Sequence, residues 1–132
     1  MNRLTIKDRA NILRLLCEGM GINAISRVTD ASKNTVLKLL ADVGEACSIY
    51  HDANVRGVKS KRVECDEIWS FCYAKQKNVA TAKAAPEWSG DTWTWTAIDA
   101  DTKLIVSYLI GPRTPSMAYA AAWENHKLIA GG

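Results

Sequence analysis

The sequence predicts an α+β chain, three helices followed by a three-stranded antiparallel sheet and a closing helix, and three observations carry that prediction. Apolar residues recur at spacings of three and four through the first third. After about residue 62 the chain turns to β-branched and aromatic runs with period two, and a last Ala-rich stretch follows a pair of prolines. At 132 residues and 48% hydrophobic, the chain has room for one ordinary domain, or a helical module plus part of a second.

Thr5 suits an N-cap, and Ile6, Ala10, Leu13, Cys17 and Met20 form one apolar stripe of a first helix that Gly19 and Gly21 end. A second helix is expected from about Ile22 to Val28, with Ile22 and Ile25 inward. A third is expected from Ser32 to about Val43, with Val36, Leu39, Leu40 and Val43 inward. Residues 50–62 lose periodicity, and Arg56, Gly57, Lys59, Ser60, Lys61 and Arg62 read as a basic flexible linker.

Strands are expected over Val63–Tyr73, Thr92–Ile98 and Leu104–Ile110, the last two joined at Asp99–Lys103 by a tight turn and hence as a hairpin. The stretch Ala74–Asp91 reads as a loop. Gly111, Pro112 and Pro115 stop the third strand, and Ser116–Ile129 is expected to be helical with Ser116 as its cap. The domains are thus 1–49, a linker at 50–62, and 63–132.

Charge is unevenly spread beneath the net +3: residues 1–62 hold 11 Lys/Arg against 6 Asp/Glu, and residues 63–132 hold 6 against 8. A basic helical segment suits a polyanion, and it equally suits an ordinary solvated face. Cys17, Cys47, Cys65 and Cys72 include no Cys-x-x-Cys pair, and neither a signal peptide nor a long apolar run is present. The thiols are expected to be reduced core residues of a cytoplasmic protein, and Cys47 with His51 is too isolated for zinc.

Ile25 to Leu40 has the spacing of a helix-turn-helix. Asp30 occupies the turn position that wants a left-handed backbone, Ala31 packs inward, and Ser32 caps the next helix. Lys33, Asn34, Thr35 and Lys38 then face outward from the first turns. In a major groove, Asn pairs with adenine and Lys with guanine or phosphate, while hydroxyls and the helix N-terminus suit phosphate oxygens. Double-stranded DNA is the partner these residues suggest, with Arg56, Lys59, Lys61 and Arg62 as a phosphate-tracking arm. A plain three-helix bundle would carry the same surface.

In Val63-Glu-Cys-Asp-Glu-Ile-Trp-Ser-Phe-Cys-Tyr73 the two-residue period puts Glu64, Asp66 and Ile68 on one face, and Cys65, Glu67, Trp69 and Phe71 on the other. A carboxylate in mid-strand calls for a metal ion, a salt bridge or an exposed edge, and spacing alone leaves all three open. Trp69, Trp88, Trp93 and Trp95 are expected in the core, or partly stacked on DNA.

Cys65-Asp-Glu-Ile-Trp-Ser-Phe-Cys-Tyr-Ala-Lys75, then Trp95-Thr-Ala-Ile-Asp-Ala-Asp-Thr-Lys-Leu-Ile105 and Gly111-Pro-Arg-Thr114, resemble the transposases of the insertion sequence one family, in order over about residues 5–114. The resemblance implies a ribonuclease H-like domain after the helix-turn-helix, with an Asp-Asp-Glu triad that uses Mg2+ to cut element ends and join them to target DNA. Asp66 falls on the first triad Asp, as catalytic residue and metal ligand, whereas Asp99 falls in the hairpin and does not carry the second.

The family's later Asp and Glu motifs have no counterpart here, since Glu124 is the one carboxylate after Asp101. The expectation is therefore a ribonuclease H-like unit truncated after its third strand and inactive alone, leaving an incomplete sheet with an open edge. Such a chain would bind terminal inverted repeats in the bacterial cytoplasm, at the nucleoid. It would act as a transposase fragment, a repressor or a remnant, with itself or an intact transposase as further partners and no membrane.

Overall fold

The computed structural model describes residues 3–128, of which 122–128 as backbone; Ile129, the expected end of the last helix, lies outside them. The chain divides into two compact units, Met1–Asn54 and Val55–Gly132. The architecture is α+β: three helices, then a three-stranded antiparallel sheet and a helix.

In the first unit, α1 (Ile6–Cys17) opens on a capping box: Thr5 Oγ1 accepts from the Asp8 N–H at 3.1 Å, and an Asp8 carboxylate oxygen accepts from the Thr5 N–H at 3.0 Å. The Thr5 hydrogen bonds hold the Asp8 carboxyl below its usual range. Helices α2 (Ile22–Thr29) and α3 (Lys33–Asn54) complete the unit around Ile12, Ile25, Ala31 and Val36, with Leu15, Leu16 and Met20 packed against them.

The buried stripe of α1 is not the expected one. Ile6 is 81% exposed, Ala10 and Cys17 are exposed, and Ile12 takes the interior. Helix α1 carries a second apolar stripe, Ile12-Leu15-Leu16 at i, i+3, i+4, and its larger aliphatic surface faces Ile25 and Val36. Leu40, expected inward, is 44% exposed.

Helix α3 also runs eleven residues past the expected end at Val43, so residues 50–54 of the expected linker are helical. Good helix formers (Ala41, Glu45, Ala46) outweigh Gly44, and the Asn54 side chain donates to the Tyr50 carbonyl at 2.8 Å to close the last turn.

In the second unit, β1 (Val63–Cys72), β2 (Gly90–Asp99) and β3 (Ile105–Gly111) stand in that order. Glu67 lies opposite Trp95, Trp69 opposite Trp93, and Trp95 opposite Leu109, with a bulge at Ala97/Ile98. The expected loop holds one short 3-10 turn, Gln76–Thr81.

Helix α4 (Pro115–Leu128) covers the face that bears Trp93 and Trp95, passing so close over Gly111 that a Cβ there would collide with Met117 Cε. Thr114, not Ser116, caps α4. Its Oγ1 accepts from the Met117 N–H at 3.4 Å, and Pro115 fills the first helical position, where a missing N–H costs nothing.

The β2–β3 hairpin is organised by a buried carboxylate. Asp99 is 3% exposed and accepts from the Ser60 hydroxyl, the Thr102 N–H at 2.9 Å and the Thr102 hydroxyl at 2.5 Å. The Ala100 N–H donates to the Arg62 carbonyl at 2.9 Å. Residues 60–62 of the expected flexible linker are thereby docked on the hairpin, since only a donor such as Ser60 offsets the desolvation of that carboxylate.

Those bonds, the Ser60 hydroxyl first and Thr102 second, hold the Asp99 carboxyl below the usual carboxylate range. A lowered folded-state pKa contributes stability that is present above the unfolded pKa and lost as pH falls through the folded one. Urea midpoints of the sheet unit are therefore expected to drop below the ordinary carboxylate range, and Asp99→Asn to flatten that dependence. An unchanged pH profile in the variant would contradict the assignment.

Candidate nucleic-acid interface and the Asp66 strand

Helices α2 and α3 meet through a three-residue joint. Asp30 has φ 58° and ψ 9°, the left-handed conformation that Asp tolerates better than most residues, and the next side chain, Ala31, is buried. Ser26 Oγ donates to the Ala31 carbonyl at 2.6 Å and fixes the exit of the turn. Asp30→Gly is expected to be close to neutral, whereas Asp30→Val should destabilise the helical unit by roughly 1–2 kcal/mol in thermal melts, because a β-branched residue resists φ > 0.

The joint aims the first turns of α3 at solvent. Ser32 caps α3, accepting from the Thr35 N–H at 3.2 Å, and its hydroxyl lies 2.8 Å from Thr35 Oγ1. Ser32, Lys33, Asn34, Thr35 and Lys38 are all exposed. Lys38 ion-pairs with Asp42 at 2.7 Å, and both side chains are mostly exposed, so the pair is weak and exchanges readily for another anion.

The basic residues Arg56, Lys59, Lys61 and Arg62 belong to the second unit and are exposed there, Arg62 standing 3.6 Å from Glu64. The two basic groups expected from the sequence therefore sit on separate units.

Asp66 lies mid-strand on the open face of the sheet and is exposed, its Oδ1 accepting from the Glu67 N–H at 2.7 Å. Glu67 points to the other face and pairs with Arg113 at 2.6 Å, which raises the guanidinium pKa. The Arg113 guanidinium lies 5.2 Å from the centre of the Trp93 ring, a cation–π contact. These groups and Trp95 line a cleft of about 520 Å3 beneath Ala118 and Ala121 of α4.

Nothing in the linear sequence joins Arg113, in the Gly111-Pro-Arg-Thr114 motif, to Glu67. The one available signal was the charge itself, since a carboxylate on the covered face of a strand demands a cation.

A two-ion site needs several carboxylates converging from different elements. Glu67 is held by Arg113 and Glu64 lies beside Arg62. Among the described residues no three His, Cys, Asp or Glu side chains come together. The groups around Asp66 do not by themselves fit a pair of magnesium ions.

Neither the tryptophans nor the cysteines fill the core as expected. Trp69 is 42% and Trp88 68% exposed, and Trp93 and Trp95 are half-buried. Cys17, Cys47 and Cys65 are exposed, and Cys72 is half-buried. Helix α4 packs mainly on β3 and β2. Among the described residues no helix is long and apolar enough to cross a membrane. Compared with protein-family models, with curated proteins and with solved structures, the chain matches none.

Proposed function

We propose that this chain recognises the ends of an insertion sequence, as a DNA-binding protein of the insertion sequence one transposase type. One observation carries the reading: the left-handed Asp30 turn, with Ala31 buried behind it, leaves Lys33, Asn34 and Thr35 exposed on the first turn of a capped helix. A helix-turn-helix offers its second helix to a major groove in this way. Asn34 then reads adenine, Lys33 meets guanine or phosphate, and Ser32 and Thr35 suit the phosphate oxygens. Arg56, Lys59, Lys61 and Arg62 track the backbone from the second unit.

The sheet unit is read as ribonuclease H-like, with Asp66 on its first strand. The role proposed for this chain is binding without strand transfer. It competes with, or associates with, an intact transposase at terminal inverted repeats in the bacterial nucleoid.

The test is an anisotropy titration of the full chain against two duplexes, one carrying the inverted repeats that flank its own gene and one of random sequence. Binding at least about tenfold tighter to the repeats is expected, with an affinity that falls steeply with salt, by a slope of roughly −0.9 per phosphate neutralised. Equal affinity for both duplexes would sink specific recognition. Asp66-dependent nicking of a supercoiled plasmid with Mg2+ or Mn2+ would overturn the binding-only role.

A further inference from the structure

The buried Asp99 carboxylate draws its donors from two places. The N–H and hydroxyl of Thr102 belong to its own hairpin, and the third donor is the Ser60 hydroxyl, 39 positions earlier in the chain. The Thr102 bonds suffice to shape the turn, as an Asp side chain does in many turns. The Ser60 bond lies outside the turn, and what it fixes is the segment around Ser60.

That segment is tied at several points. The Ser60 hydroxyl also stands 3.1 Å from the Arg62 carbonyl, the chain bends at Lys61, and the Arg62 carbonyl accepts from the Ala100 N–H at 2.9 Å. Strand β1 begins at the next residue, Val63. Ser60 is half-buried while Lys59, Lys61 and Arg62 are exposed, so the bend turns a hydroxyl inward and carries three cations outward. Glu64 stands 3.6 Å from Arg62, and a pair so exposed on both sides yields readily to another anion.

We propose that Asp99 is a positioning residue for phosphate binding: through Ser60 it holds Lys59, Lys61 and Arg62 as a preformed cationic bend that receives the DNA backbone. This role rests on the DNA-binding reading above and adds how the basic arm is presented. A mobile arm loses backbone freedom when it meets phosphates, and that loss is subtracted from the affinity. An arm already fixed by a buried carboxylate meets them without it. Asp99 acts from the interior of the hairpin, so it tunes affinity through the bend rather than by contact with DNA.

The test is the anisotropy titration of the full chain with both duplexes, repeated for Ser60→Ala and Ser60→Thr, beside limited trypsin digestion without DNA. Ser60→Ala is expected to weaken both duplexes alike, by roughly fivefold to tenfold, with the salt slope unchanged because the same phosphates are neutralised. Ser60→Thr, which keeps the hydroxyl, should restore the wild-type affinity. Trypsin should cut the free wild-type chain slowly after Lys59, Lys61 and Arg62, and about tenfold faster in Ser60→Ala.

Wild-type affinity in Ser60→Ala, or a salt slope lowered by about one or more, overturns the positioning role and leaves duplex recognition standing. A wild type that binds neither duplex removes the DNA reading and this role with it. Should Ser60→Ala fail to fold by circular dichroism, the wild type decides. Slow cleavage of the free chain at these three bonds supports a preformed bend. Rapid cleavage that added duplex suppresses means that DNA itself orders the arm, and overturns the proposal.

Discussion

Ile25→Ala is expected to cost the helical unit about 3 kcal/mol, within the range of buried aliphatic truncations. Ile25 has no exposed surface and packs with Ile12, Val36 and Ala31 in the fully buried centre of the unit. A folded unit of this size is stabilised by only roughly 3–8 kcal/mol, so the loss takes a large share of it. Ile25→Val, which removes one methyl group, should cost about 1 kcal/mol.

The measurement is unusually clean because every tryptophan lies beyond Asn54. Far-ultraviolet circular dichroism should report early loss of helix in Ile25→Ala while the tryptophan fluorescence transition stays where it is in the wild type. A fluorescence transition that moves with the helical one would contradict independent folding of the two units.

Local chemistry was the legible part of this chain. The Asp30 turn, the inward Ala31 and the Ser32 cap each depend on one or two residues and their neighbours, and all three stand where the sequence put them. The three strands and the Asp99 hairpin were legible for the same reason: alternation and turn residues act over a few positions.

What failed required knowing the partner surface. Helix α1 has two apolar stripes, and periodicity cannot choose between them until Ile25 and Val36 are in place. Trp69 and Trp88 looked like core residues because tryptophan usually is one, yet Trp69 sits on the strand furthest from the main contacts of α4, and Trp88 in the turn before β2. The docking of Ser60 on Asp99 joins residues 39 positions apart and leaves no trace in a linear pattern. The Glu67–Arg113 pair is of the same kind, 46 positions apart.

Asn34→Ala should lower the preference for the inverted repeats over random DNA by a factor between about five and 150, the equivalent of roughly 1–3 kcal/mol for one bidentate base contact. Asn34 is exposed on the first turn of α3, whereas Lys38 is already engaged by Asp42. Lys33→Ala is expected to act in the same direction, and Lys38→Ala less.

The comparison that separates reading from mere attraction is Lys59→Ala, in the other unit. A phosphate contact there carries no sequence information, so its loss should weaken both duplexes alike and reduce the salt slope by about one. If Asn34→Ala also weakened both duplexes alike, α3 would be holding DNA by charge rather than by base edges. The Asp30 turn would then serve only to hold α3 against the core formed by Ile12 and Ile25.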